Sequence, residues 1–147
     1  MIQDLIILFE RDLDKLAEEI RLYQNEENLW KTAEGISNSG GNLALHLSGN
    51  LKHFIGAKLG NTGYVRERDK EFSLKNILEA DLLSNIEETK AIVVKTLSAL
   101  KKEDLEREFE FPNWKEKFTV SFWLIHLSTH LNYHLGQVNY HRRLLDS

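Results

Sequence analysis

Cysteine is absent from this chain of 147 residues. That excludes disulfides, a cysteine nucleophile and any cysteine-ligated zinc site, and it fits a reducing compartment. Proline occurs once, at Pro112, and the glycines gather mostly in one middle stretch. Because proline breaks helix interiors and glycine weakens them, their scarcity elsewhere favours long helices. No long hydrophobic run occurs. The apolar segment Leu5-Ile6-Ile7-Leu8-Phe9 lies between Asp4 and Glu10, too short for a membrane span and wrongly flanked for a signal peptide. Positive charge is not in excess either. The formal net charge is -4, with bases and acids interleaved, so no basic stripe points to nucleic acid. The expectation is a cytoplasmic protein with no membrane or nucleic-acid partner.

What is present suits one globular domain, residues 1–147, with 41% hydrophobic and 29% charged residues. A chain of this size buries ~68–70% of its unfolded surface. Apolar Leu5, Leu8, Phe9, Leu13, Leu16, Ile20 and Tyr23 recur at steps of three and four, which predicts a first helix over Ile2–Gln24. A polar stretch anchored by Trp30 follows, with Ser39 or Asn42 as caps for a second helix over Asn42–Leu59. Gly60 then suits a left-handed terminus. The segment Asn61–Phe72 reads as a loop, with Arg66, Arg68, Asp69 and Glu71 as a solvated ion-pair group. Ser73 is placed to cap a third helix over Leu74–Leu100, and a charged connection carrying Pro112 and Trp114 leads to a fourth from Thr119 to Leu145. Four long helices with no clear strand give an all-α, four-helix bundle. Its long connections leave the order of the helices open. Trp30, Trp114 and Trp123 are expected in the core.

The six histidines are His46, His53, His126, His130, His134 and His141. On a wheel of ~100° per residue with His126 at zero, His130 falls near ~40° and His134 near ~80°. Leu127, Leu131, Leu135 and Val138 occupy ~100° to ~180°, so the histidine row lies within the apolar arc. Ser128, Thr129, Asn132, Asn139 and Arg143 take the opposite side. A buried polar group without a partner costs ~1–3 kcal/mol, and several imidazoles together are hard to satisfy. A divalent cation is a common partner for neutral imidazole. His130 and His134 have the i, i+4 spacing that puts two rings on one face, but Leu131 stands where a metalloprotease motif would have glutamate. The third ligand must come from another helix. His46 and His53 lie on nearly the same side of helix two, two turns apart, and are alternatives for that role. His126 reads as a wall of the site, His141 as a core histidine and His53 as a partly exposed one.

Two segments carry a family resemblance. They are Gly41-Asn42-Leu43-Ala44-Leu45-His46-Leu47-Ser48-Gly49-Asn50-Leu51 and the stretch His126 to Val138, whose His130-Leu131-Asn132-Tyr133-His134-Leu135-Gly136-Gln137 end is the more specific part. Through them the chain resembles the DinB-like (DinB/YfiT-like) putative metalloenzymes, and the turn Arg66 to Phe72 resembles that of an uncharacterised subgroup. The resemblance implies an up-down-down-up bundle, commonly dimeric. It also implies a divalent ion (nickel, zinc or iron-group) on three histidines, which by position are His46, His130 and His134. Some members of that superfamily transfer or isomerise with a low-molecular-weight thiol. The expected function is therefore a metal-dependent transferase or hydrolase acting on a small molecule, as a homodimer. The alternative is a non-catalytic, metal-stabilised stress-response or interaction module. Asn50, His126 and Gln137 are candidates to orient a ligand or a histidine ring. Arg66 and Arg68 are candidates to bind a substrate carboxylate.

Overall fold

A computed structural model describes residues 1–147. Five α-helices account for most of it: α1 (Ile2–Leu22), α2 (Gly40–Leu51), α3 (Arg68–Ser73), α4 (Glu79–Ala99) and α5 (Val120–Leu145). Single-turn 3-10 helices occupy Glu26–Trp30 and Lys102–Glu106. Two residues in each of β1 (Glu108–Phe109) and β2 (Phe118–Thr119) pair as an antiparallel hairpin. The structure is all-α in class, a helical bundle. No helix is long and apolar enough to cross a membrane.

The order of the four long helices follows from which residues meet. The packed neighbours are α1 with α4 and α5, and α2 with α4 and α5. Along the α1–α5 seam, Ser121 meets Met1, Asn132 donates to Asp12 at 3.1 Å, and both Asn139 and Arg142 donate to Glu19 at 2.7 Å. Both numbers rise together, so α1 and α5 run parallel. Lys90 pairs with Asp14, and the start of α4 at Glu79 meets Glu26 just beyond α1, so α1 and α4 are antiparallel. Lys52 reaches Asn85 and Glu88, while Gly56 lies against Ile92 and Gly60 against Thr96, so α2 and α4 are parallel. Gly40 approaches His141 and His46 approaches His130, which sets α2 antiparallel to α5. The bundle is up-down-down-up, with consecutive α1 and α2 across its diagonal.

The apolar stripe of α1 (Leu5, Phe9, Leu13, Leu16 and Ile20) is buried as its periodicity requires, against Leu47, Leu51, Leu82, Val93, Leu127 and Val138 among others. The polar arc of α5 is partly used: Asn132 and Asn139 satisfy the buried carboxylates Asp12 and Glu19. Thr119 caps α5 by accepting from the Phe122 N–H, and Arg142 and Arg143 stand in its last turn where the helix dipole favours cations.

Several boundaries differ from the sequence expectation. Ser39, not Asn42, caps α2, which starts at Gly40 and passes at Lys52 into a π-helical stretch ending at Leu59. Gly60 is right-handed, with φ -97°. Glycine is needed there because a Cβ would crowd the Thr96 Oγ1 and the Gly56 carbonyl. The loop after it contains α3, a helix of tertiary origin: the Asn42 amide donates to the Glu71 and Leu74 carbonyls at 2.9 and 2.8 Å. Ser73 closes α3 and caps nothing; the chain runs extended through Leu74, turns at left-handed Asn76, and enters α4 at Glu79. The β-hairpin was not expected because each strand is only two residues long. Trp114 in its turn is about half exposed, whereas Trp30 and Trp123 are buried.

Candidate metal centre

His46 on α2 and His130 and His134 on α5 converge, with one ligating nitrogen from each lying within 4.8 Å of the others. The antiparallel pairing of α2 and α5 brings them together, and i, i+4 spacing places the two α5 rings with centroids 4.5 Å apart. His53, the alternative on α2, lies outside this group. It lines the same cleft with its Nδ1 buried and unpartnered.

Each imidazole is oriented differently. His46 Nδ1 stands 3.1 Å from Glu71 Oε1. Burial alone would raise the Glu71 carboxyl, but hydrogen bonds from His46 and Arg66 bring it below its ordinary value. A carboxylate only accepts, so His46 donates from Nδ1 and turns a bare Nε2 inward. Arg66 holds the same carboxylate through two bonds of 2.9 Å, a bidentate grip. His134 donates from Nδ1 to the Gln137 amide oxygen at 2.7 Å, which also frees its Nε2. His130 has a buried Nδ1 with no partner, and its Nε2 lies 3.3 Å from the His46 Nε2. Burial, and then the neighbouring His134, His46 and His126, hold His130 down at about 3. Burial likewise lowers His134, partly opposed by its bond to Gln137. Both rings are therefore neutral at neutral pH, the state a metal ligand needs.

The donor set fits a divalent cation. Two imidazole nitrogens bound at ~2.0–2.1 Å to one tetrahedral ion stand ~3.3 Å apart, which is the His46–His130 separation. The two Nε2 atoms face each other with at most one proton between them, and a cation bound by both would take that proton's place. No fourth histidine or carboxylate joins the group.

A cleft of about 740 Å³ opens over the three histidines. Phe54, Phe72, Phe111 and Trp114 form its apolar walls, with Phe111 stacked between Phe54 and Trp123 at centroid distances of 3.9 and 3.7 Å. His126 belongs to this wall. It is edge-on to Trp123 and Trp114, and burial lowers its pKa. Asn50 is buried along the cleft with its Oδ1 unpartnered. Arg68 is exposed at the cleft, 5.2 Å over the Phe72 ring, and makes no ion pair within 4 Å. His141 is a core histidine, donating to the Lys31 carbonyl and accepting from the Tyr23 hydroxyl.

Two readings of the loop are corrected. The Arg66–Glu71 pair is buried, not solvated, and the carboxylate that Arg66 binds is this chain's own. Glu71 was missed as a site residue because a glutamate in a charged turn looks like surface. Its one local signal is Gly49, three residues after His46: a Cβ there would collide with the Glu71 carboxylate.

No curated protein matches the chain. A family model described as "Protein of unknown function (DUF1572)" matches residues 3–147. Those residues include all of the bundle but the first residue of α1, and every histidine of the cleft. The chain belongs to the DUF1572 family.

Proposed function

We propose that this protein is a metal-dependent enzyme of the DinB/YfiT-like type. One divalent ion is held by His46, His130 and His134, and a small-molecule substrate enters the cleft above them. The carrying observation is the convergence of three imidazoles from two helices in a cleft, with only three protein ligands in reach. Structural zinc sites are closed by four protein ligands, whereas catalytic ones keep a position open. When bound, a zinc, nickel or iron-group ion would supply Lewis-acid polarisation and acidify a water or thiol ligand. The chain's own residues do the rest. Glu71 fixes the proton of His46 on Nδ1, Gln137 does the same for His134, and Arg66 keeps Glu71 ionised and in place. With no cysteine in the chain, thiol chemistry would use a low-molecular-weight thiol as co-substrate. S-transfer and hydrolysis are the reaction classes to screen.

Elemental analysis of untagged protein is the direct test. The expected result is about one metal ion per chain, lost in His46→Ala, His130→Ala and His134→Ala while each variant keeps its helical circular dichroism. Protein that holds no metal and takes up neither added nickel nor added zinc would overturn the assignment.

A further inference from the structure

We infer that the cleft binds a small aromatic carboxylate, a planar apolar body carrying one negative charge. This names the substrate class of the proposed enzyme and rests on the cleft being its active site. The charge of the lining carries the first half of the argument. Asp and Glu supply 23 of the 147 residues and the net charge is -4, yet none of the 15 residues lining this cleft is acidic. The lining holds two arginines and five histidines instead. Arg66 is already occupied by Glu71, which leaves the guanidinium of Arg68 as the cation without a carboxylate. One planar guanidinium, and no lysine, suits a monoanionic carboxylate better than a doubly charged phosphate.

The second half is the apolar surface. Phe54, Phe72, Phe111 and Trp114 give the cleft flat aromatic faces, and Trp114 remains about half exposed beside it. Exposing a tryptophan in a water-filled cleft is unfavourable unless a ligand covers it. Arg68 lies over the Phe72 ring at 5.2 Å, so one ligand can stack on the aromatic walls and pair with the guanidinium at once.

The experiment uses 2-naphthoate and its neutral amide, 2-naphthamide, as probes of the full chain. Binding is followed by tryptophan fluorescence, since Trp114 lines the cleft and Trp123 lies behind it with ring centroids 5.1 Å apart, and confirmed by calorimetry. Both chelator-treated and nickel-loaded protein are titrated, with metal content measured in parallel. The expected result is naphthoate binding about tenfold or more tighter than naphthamide, with that preference lost in R68Q, whose side chain is exposed and whose fold is unaffected. Equal binding of the two probes, or a preference that survives in R68Q, would overturn the inference. The two proposals fail separately. Protein that takes up metal without preferring naphthoate keeps the metal centre and loses the substrate class. Protein that prefers naphthoate but takes up no metal keeps the anion site and loses the enzyme reading.

Discussion

Replacing Glu71 by glutamine is the perturbation with the most specific consequence. The carboxylate is buried and accepts three bonds: one from His46 at 3.1 Å and two from Arg66 at 2.9 Å. Glutamine has the same shape but only one acceptor oxygen. Its amide nitrogen must face either the His46 N–H or one N–H of Arg66, donor against donor. Whichever way it turns, His46 loses a charged acceptor that fixed its tautomer and sharpened the basicity of Nε2. Losing such a partner weakens metal binding ~10–100-fold, or ~1.4–2.8 kcal/mol. The metal-free fold should also lose ~1–3 kcal/mol, the cost of a buried polar group left unsatisfied. It should not lose more, because the Arg66 side chain keeps 12% exposure and can turn toward water. Gly49→Ala approaches the same point from the other side, since its Cβ would displace the Glu71 carboxylate. Nickel or zinc affinity is read by competition with a chromophoric chelator, and stability by urea denaturation of chelated protein. If both variants bind metal as tightly as the parent, Glu71 does not orient His46 and the argument for its role is wrong.

Two further outcomes follow from buried groups in the metal-free protein. Tyr23→Phe removes the hydroxyl 2.6 Å from His141 Nδ1, while His141 still donates to the Lys31 carbonyl at 2.8 Å; the stranded acceptor should cost ~1–3 kcal/mol in urea denaturation with metal content unchanged, and an unchanged midpoint would mean that water replaces the hydroxyl. Acid should destabilise the metal-free protein early. Burial lowers His53, His126, His130, His134 and His141, with His130 down at about 3. The unfolded chain therefore takes up protons first as pH falls below ~6.5. Each such histidine contributes up to ~1.4 kcal/mol per pH unit within its own window, less where solvent screens it. The urea midpoint should fall steadily from neutral to mildly acid pH; a flat profile there would refute the buried, neutral state of these rings.

The helices were legible because their signals are local. The stripe of α1 and the histidine row of α5 can be read from periodicity alone, and both stand where the sequence puts them. Boundaries failed where a distant group decides them. Nothing near Arg68–Ser73 announces a helix; it forms because Asn42 holds two of its carbonyls and Arg66 holds Glu71. Spacing alone left the third histidine open for a related reason, and the resemblance chose it. His46 and His53 share a face of α2 at seven-residue spacing, and only the slide of α2 along α5 decides which one reaches His130. That slide is set by contacts such as Gly40 against His141, far apart in sequence.

The composition of α2 makes sense once those contacts are known. Residues 40–51 include three glycines, two asparagines and a serine, poor material for a helix by intrinsic preference. Several of the weak helix formers mark a task that alanine or leucine would not perform. Gly40 leaves room for the Tyr23–His141 bond, Gly41 for Trp30 and Gly49 for Glu71, and Asn42 clamps α3. His46 sits among them with its inward nitrogen bare. The helix is kept instead by tertiary burial: eleven of its twelve residues are buried, and Leu43, Leu47 and Leu51 anchor it in the core. A segment whose local preferences oppose its structure is held by its tertiary contacts, and here the contacts at Gly49 and Asn42 are among those that set Glu71 behind His46.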